Sequence, residues 1–120
     1  MPAQTVRDLS ITATIQRGIV IAQIDGTIDS VSSDELLLKL RTAIANGHVR
    51  IVGDMSGVQH TSSVGLRALL GAVKAARRSG GDLRLARVPP SLEKVLEMSG
   101  FTTIFRLYDD VDSALASYDA

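Results

Sequence analysis

The sequence predicts a mixed α/β fold, in which about four helices pack on a mixed β-sheet of about four to five strands. Two observations predict this class. Two strand-like segments open the chain, and after them short apolar segments alternate with segments of helical periodicity. No internal repeat, low-complexity stretch or linker interrupts this order, so we expect one domain over residues 1–120.

The opening pair of strands is predicted at residues 10–15 and 19–24, joined by the turn residues Arg17-Gly18. The first strand has apolar side chains at every second position, as in a half-buried strand. The second is densely apolar, so we expect it to be more buried. We expect Asp25-Gly26 to break this second strand.

The first helix is predicted to begin at Ser32. Ser32 followed by Glu35 fits a capping box, in which the serine oxygen accepts a first-turn amide and the glutamate reaches back. Glu35 and Lys39 have the spacing of an ion pair on the exposed side. Asn46-Gly47 ends the helix. The apolar residues of one helical face are Leu36, Leu37, Leu40 and Ile44.

A short strand at residues 49–52 is predicted to stop at Gly53-Asp54, with a polar loop over residues 56–63 behind it. The second helix then runs from about residue 64 to residue 78 and is closed by Gly80-Gly81. The apolar side of this helix carries Leu66, Leu69, Leu70 and Val73. The opposite ridge carries Arg67, Gly71, Lys74 and Arg78.

The last third of the chain predicts a strand over residues 83–88 and a short helix that begins at Pro90 and stops at Gly100. A final strand is predicted over residues 103–107. Asp109-Asp110 then caps a last helix. Its buried stripe is Val111, Ala114, Leu115 and Tyr118.

The composition argues against several classes of function. The 13 basic residues balance 13 acidic ones and aromatic residues make up 3%, so we expect no nucleic-acid partner. The absence of cysteine removes disulfides, zinc–cysteine sites and thiol catalysis. Residues 1–5 do not resemble a signal peptide, and no apolar run approaches the roughly 20 residues that span a bilayer. We therefore expect a cytoplasmic protein with no membrane partner.

The motifs of common enzymes are missing from the sequence. It contains no phosphate-binding loop, no dinucleotide fingerprint and no nucleophile elbow. His48 and His60 have no set of metal ligands around them. Ser62 or Ser63 lies too close in sequence to His60 for an ordinary catalytic triad. We expect a protein without enzymatic activity, cofactor or metal.

The segment Thr61-Ser62-Ser63 stands at the start of the second predicted helix and allows two interpretations. In the first, one serine caps the helix and the others are polar loop residues. In the second, an exposed hydroxyl at a helix N-terminus is a phosphorylation site, because the free amides and the helix dipole tolerate a phosphate.

Residues 54–100 resemble a STAS domain, and within that family the bacterial anti-sigma factor antagonists. Their sequence is DMSGVQHTSSVGLRALLGAVKAARRSGGDLRLARVPPSLEKVLEMSG. The family pattern is a strand ending in D-L-S-G-V, a segment ending in D-S-S-G-L, a helix closed by G-G, a strand, a proline turn and a helix ending near S-G. Residues 21–37 resemble the family's G-x-x-D turn and first helix. The resemblance extends over about residues 8–118, and it implies a STAS-like mixed sheet with its core in that range.

The resemblance assigns roles to individual residues. When Gly65-Leu66 is aligned with the motif, the family's phosphorylatable serine falls on Ser63. The family's preceding aspartate falls on Ser62 and its following serine or threonine on Val64, so both positions depart from the pattern and Ser62 stays open as an alternative acceptor. Asp29 matches the aspartate that lies near the phosphorylation site in the family. The implied partner-binding residues are Asp29, Thr61, Ser62, Ser63, Val64, Arg67, Gly71 and Lys74.

The function that the resemblance implies is partner switching. The unphosphorylated antagonist binds a kinase-type anti-sigma factor and frees a sigma factor, and serine phosphorylation by that kinase breaks the complex. A PP2C-type phosphatase restores the cycle. The antagonist holds no cofactor of its own, and we expect a monomer or a weak dimer.

Two other interpretations stay open. The first is a non-phosphorylated STAS adaptor or scaffold in a stressosome-like or transport-associated complex, which the departures at Ser62 and Val64 favour. The second is a small-molecule binder or an enzyme on an α/β scaffold, which requires a pocket with converging polar groups.

Overall fold

A computed structural model describes residues 9–119 of the chain. The expectation about a leader, which rests on residues 1–5, lies outside the described residues, as does the first residue of the predicted core, Asp8. Over residues 9–119 the structure has five strands, four α-helices and one short 3₁₀ turn, which confirms the predicted fold class. The elements are β1 (Ser10–Gln16), β2 (Ile19–Ile28), α1 (Ser32–Ala45), β3 (Arg50–Thr61), α2 (Ser63–Arg78), β4 (Asp82–Ala86), α3 (Pro90–Met98), β5 (Leu107–Tyr108) and α4 (Val111–Ala116).

The strands lie side by side in chain order, β1-β2-β3-β4-β5. β1 and β2 form an antiparallel hairpin, and β2, β3, β4 and β5 are parallel to one another. Because parallel strands present their carboxyl ends at one edge of the sheet, the turn after β2 and the start of α2 meet there. That edge carries the predicted site.

Helices cover both faces of the sheet. The larger apolar core lies between the sheet and α1, α2 and α3, and the predicted apolar faces of α1 and α2 are turned into it. The helix α4 covers a smaller cluster on the other face. Its members are Ile19, Val52, Ala86, Ala114 and Leu115. This arrangement places the start of α2 on the larger core.

β2 and β3 are longer than the sequence analysis predicts. The predicted break at Asp25-Gly26 is wrong, because β2 continues to Ile28 with two shifts in its pairing with β3. The predicted loop over residues 56–63 is wrong too, because β3 continues to Thr61. Gly57 permits this pairing, since a Cβ there would lie 1.7 Å from Oδ1 of Asp25. Bulges in the pairing therefore allow both strands to continue through residues that usually end a strand.

The predicted capping box at the start of α1 is wrong. The oxygen of Ser32 points back into the preceding turn, where it donates to the carbonyl of Thr27 at 2.8 Å and accepts the amide of Asp29 at 3.0 Å. Oε2 of Glu35 instead lies 3.9 Å from Nζ of Lys39, which confirms the predicted ion pair. The end of the helix before Gly47, which has a φ of 94°, is confirmed as well.

The C-terminal third differs from prediction in its strands. β4 ends at Ala86, because Arg87 takes a left-handed conformation with a φ of 55°. The strand predicted at residues 103–107 is replaced by a 3₁₀ turn at Phe101–Thr103 and the two-residue β5. The last helix is confirmed, with the carboxylate of Asp110 accepting the amide of Ser113 at 2.7 Å.

Candidate functional site

The candidate site lies where β2 and β3 end side by side. Ile28 is paired with Thr61, the last residue of β3. The amide of Ser62 then donates to the carbonyl of Ile28 at 2.8 Å. This bond ties the start of α2 to the residue that precedes Asp29. The pairing of the two strands therefore brings the predicted switch segment beside the predicted partner-contacting aspartate.

Ser62 and Ser63 have different environments. Ser62 is the N-cap of α2, and its half-buried oxygen accepts the amide of Gly65 at 3.1 Å. Its carbonyl accepts the amide of Leu66 at 3.0 Å. Ser63 is the first residue of the helix and is exposed. The interpretation that one serine caps the helix is therefore confirmed for Ser62, and Ser63 is left at the surface.

Gly65 allows α2 to approach the sheet closely. A Cβ at this position would lie 2.7 Å from both the carbonyl oxygen and Cγ2 of Ile28, and 3.0 Å from Cγ2 of Thr61. Contacts below 3 Å to a backbone atom force the backbone to move. Glycine is thus the residue that lets the first turn of α2 lie directly on the ends of β2 and β3.

Asp29 organises the turn between β2 and α1. One carboxylate oxygen accepts the amides of Val31 and Ser32, each at 2.9 Å. These hydrogen bonds, the one from Ser32 first, hold the pKa of Asp29 below its ordinary value. The carboxylate is therefore negative at neutral pH. A fixed negative charge thus lies on the edge of the sheet that also carries Ser63.

The exposed side of α2 continues from the switch segment. Arg67 and Lys74 are exposed, and the first turn of the helix contains no acidic residue. Gly71 is only partly exposed, because Leu37 of α1 lies 3.6 Å from the position of a Cβ there. Arg67 and Lys74 of the predicted ridge therefore project freely, whereas Gly71 lies at the contact between α1 and α2.

Two apolar side chains are exposed beside the charged groups. Val64, which follows Ser63, is 41% exposed, and Val31 in the Asp29 turn is 82% exposed. Val31 is not among the site residues predicted from the sequence. An apolar residue between polar ones just before a helix was the available signal. Exposed apolar side chains within a polar rim are typical of protein-docking surfaces.

Thr61 and His60 border a small cleft at the end of β3. His60 is exposed on β3, and Thr61 is half-buried with an oxygen that has no hydrogen-bond partner among residues 9–119. A cleft of 170 Å³ between this strand end and α3 is lined by both residues and by Leu92 and Val95. That volume is below the usual range for small-molecule sites. Over residues 9–119 no group of three or more potential metal ligands occurs.

The start of α2 and the turn before α1 together present polar, charged and apolar side chains at one edge of the sheet. Ser63 offers an exposed hydroxyl and Val64 an exposed apolar side chain at the N-terminus of α2, where a helix favours anions. The turn before α1 adds the carboxylate of Asp29 and the exposed Val31. Among the described helices, none is long and apolar enough to cross a membrane.

Comparison with known proteins identifies relatives across most of the chain. The family model for the STAS domain matches residues 10–114. BtrV of Bordetella bronchiseptica, whose name assigns it to the anti-sigma factor antagonists, is 32% identical over 101 residues, covering 84% of this chain and 87% of BtrV. The anti-sigma F factor antagonist of Paenibacillus polymyxa is 29% identical over 113 residues, covering 93% and 97%.

A solved structure shares the fold. The crystal structure of an anti-sigma factor antagonist from Mycobacterium paratuberculosis superposes with a TM-score of 0.85 at 22% identity, covering 94% of this chain and 96% of that one. The order of strands and helices described above is therefore the order of this fold.

Proposed function

The chain belongs to the STAS domain family, and on that premise we propose that it is an anti-sigma factor antagonist that works by partner switching. In its unphosphorylated form it binds a kinase-type anti-sigma factor, so that a sigma factor is released. Phosphorylation of Ser63 by that kinase ends the complex, and a PP2C-type phosphatase reverses the modification. The names of the sequence relatives support the antagonist role. Sigma-factor control places the protein in the cytoplasm, with residues 1–120 forming one domain.

The observation that carries the proposal is the difference between the two serines. The oxygen of Ser62 is engaged in capping α2, whereas Ser63 is exposed on the first turn. A kinase has to reach the hydroxyl without unwinding its substrate, and Ser63 meets that condition in the folded chain. This geometry favours Ser63 over Ser62 as the acceptor.

A phosphate on Ser63 is compatible with the fold. Ser63 lies at the N-terminus of α2, where the positive end of the helix dipole favours an anion, and no acidic residue lies in the first turn. Arg67 is exposed one turn further along the same helix, at the spacing of a stabilising ion pair. The phosphorylated protein therefore keeps its structure.

The same phosphate is incompatible with a partner that accepts the unmodified surface. It adds a charge near −2 beside the ionised Asp29 and the apolar side chains of Val31 and Val64. A partner side chain that packs against the neutral Ser63 hydroxyl has to accommodate this charge and bulk in a desolvated contact, and burying an unpaired charge is costly. A loss of about 2.7 kcal/mol already lowers affinity roughly a hundredfold. Phosphorylation therefore acts on binding.

The site assignment is tested by phosphorylation with the candidate anti-sigma kinase from the same genome, Mg-ATP and mass-spectrometric mapping. We expect one phosphate on Ser63, no labelling of Ser63→Ala and full labelling of Ser62→Ala. A phosphate found on Ser62 in the wild-type protein would overturn the assignment.

The effect on binding is tested with Ser63→Asp. We expect its affinity for the unmodified kinase to fall at least about tenfold, since aspartate carries about half the charge of phosphate. Ser113→Asp is the matched control, because Ser113 is also an exposed serine in the first turn of a helix but lies on the opposite face of the sheet. Equal binding of both variants would contradict the proposal.

A second candidate function rests on the departures from the family pattern. Ser62 lacks the charge of the usual aspartate, and Val64 exposes an apolar side chain where the family has a hydroxyl. These residues suit a non-phosphorylated STAS adaptor in a stressosome-like or transport-associated complex. Protein purified from its native cell without any phosphoserine, under conditions where the sigma factor is inactive, would favour this function over partner switching.

A further inference from the structure

The outer edge of β1 is unpaired within residues 9–119. β1 is the first strand of the sheet and has a neighbour only in β2. Its seven residues, SITATIQ, contain no charge and no proline. Natural edge strands usually carry lysine, proline or a bulge that prevents pairing with another strand. The edge of β1 has none of these devices, so it is open to a further strand.

The hairpin turn determines which backbone groups point outward. Arg17 and Gly18 have φ values of 55° and 77° and form a two-residue turn, so Gln16 and Ile19 flank it as a hydrogen-bonded pair. Because such pairs alternate along an antiparallel ladder, Ser10, Thr12, Thr14 and Gln16 bond to β2. The N–H and C=O groups of the alternate residues point away from β2. These residues are Ile11, Ala13 and Ile15.

The side chains of these alternate residues form an apolar row on the α1 side of the sheet. They lie opposite Ile24, Ala22 and Val20 of β2, whose side chains face the larger core. Ile15 is nevertheless 61% exposed, and an open groove of 440 Å³ is lined by Ile11, Ala13 and Leu38 of α1, which is 67% exposed. Outward hydrogen-bonding groups and uncovered apolar side chains therefore coincide on the same residues.

We propose that β1 pairs antiparallel with β1 of a second copy of this chain, about a two-fold axis through Ala13. In this register Ala13 lies opposite the partner's Ala13, and Ile11 lies opposite the partner's Ile15. All three outward-facing residues then exchange backbone hydrogen bonds, whereas a shift by two residues in either direction leaves only two of them paired. The two sheets join into one ten-stranded sheet.

A second copy fits this edge because the edge is complementary to itself. A two-fold contact places the same patch on both sides, and here an uncharged strand meets an uncharged strand. Each exposed Ile15 packs on the partner's Ile11, and the two Leu38 side chains flank the joined groove. The opposite face, with Thr12, Thr14 and Gln16, stays polar and hydrated. One strand pair is a small interface, so the dimer is weak and depends on concentration.

Cysteine cross-linking tests the register. The chain contains no cysteine, so Ala13→Cys introduces a single thiol. In the proposed register the two Cα atoms at position 13 lie about 5.5 Å apart, within disulfide range. The control Thr14→Cys places an exposed thiol on the next residue, which lies opposite the partner's Thr12, so its own partner thiol is a diagonal neighbour at about 7–8 Å. We expect a covalent dimer from Ala13→Cys and little from Thr14→Cys.

Sedimentation of the full chain over a range of concentrations tests the interface itself. Ile15→Lys is expected to raise the dimer dissociation constant about tenfold or more, because each dimer loses two buried isoleucines. Thr14→Lys, on the hydrated face, is expected to leave the constant within about threefold of wild type. A protein that is monomeric at every concentration, equal cross-linking at both positions, or open-ended assemblies would each overturn the proposal. Labelling of Ser63 by the kinase is a separate measurement and does not depend on the dimer.

Discussion

Two glycines of α2 predict opposite responses to the same substitution. Gly65→Ala places a Cβ 2.7 Å from the carbonyl oxygen of Ile28, so the first turn of α2 has to move away from β2. Gly71→Ala places a Cβ 3.6 Å from Cδ1 of Leu37, an ordinary van der Waals contact. Both residues are helical, so alanine reduces the entropy of the unfolded chain at each. The difference between the variants therefore isolates the close contact.

The magnitudes follow from these distances. An ordinary contact begins near 3.4 Å, so Gly65→Ala requires a movement of about 0.7 Å against a backbone atom. Overpacking of this kind costs about 1–3 kcal/mol. Helix propensity returns at most about 1 kcal/mol. We expect the free energy of unfolding to fall by about 1–2 kcal/mol for Gly65→Ala and to rise by about 0.5–1 kcal/mol for Gly71→Ala.

Urea unfolding followed by circular dichroism measures both variants under the same conditions. The midpoints should move in opposite directions with unchanged slopes. If Gly65→Ala proves as stable as Gly71→Ala, the close approach of α2 to Ile28 is not the reason for glycine at this position. Binding to the anti-sigma kinase should also weaken for Gly65→Ala, since the first turn carries Ser63.

Three further predictions concern single side chains. Ser62→Ala removes the N-cap of α2 and should lower the free energy of unfolding by about 1 kcal/mol, whereas Ser63→Ala should change it by less than about 0.5 kcal/mol; equal urea midpoints would contradict the capping role. Tyr118→Phe removes a hydroxyl that lies 2.7 Å from the carbonyl oxygens of Ile51 and Asp82, and should cost about 1–3 kcal/mol at neutral pH. Burial raises the pKa of Tyr118 above its ordinary value of 10.0, so the free energy of unfolding of the wild type should fall above about pH 10, where the tyrosine of the unfolded chain ionises. Tyr118→Phe cannot ionise at this position and should therefore show a smaller fall in the same pH range. The pKa of Asp110 is lowered by its hydrogen bond from the amide of Ser113, so its contribution is present above about pH 4 and disappears as the pH falls through the lower folded value. Asp110→Asn caps without titrating, so thermal melts of the two proteins should converge on acidification; a constant difference from pH 7 to pH 2 would refute this.

The fold class could be predicted because its signals are local. Apolar periodicity and the glycines after α1 and α2 mark the helices to within a residue or two. The extensions of β2 and β3 could not be predicted in this way. Asp25-Gly26 and Gly57 usually end strands, and they continue here because the two irregular stretches compensate each other across the sheet. That compensation is a long-range property.

The candidate site, like the fold, could be predicted only where its signals are local. Ser62 and Ser63 could be identified from the sequence, because a cluster of hydroxyls before a helix is a local signal. Their different roles depend on which oxygen reaches the amide of Gly65, and this is a matter of three-dimensional geometry. The predicted capping role of Ser32 is wrong because its oxygen bonds within the preceding turn, and Asp29 accepts the amides of Val31 and Ser32 where α1 begins. Two competing acceptors three residues apart cannot be ranked from spacing alone.

The rigidity of the α2 start has a consequence for how the switch works. Ser62 is held by its amide to Ile28, by its carbonyl to Leu66 and by its oxygen to Gly65, and Gly65 itself lies directly on the end of β2. A rearrangement of this turn would break these contacts together. A phosphate on the exposed Ser63 adds charge where none of them has to change. On the proposed function, hydrogen exchange should therefore differ between the two forms only in the first turn of α2 and in the Asp29 turn, because the partner is displaced by altered surface charge while the fold stays fixed.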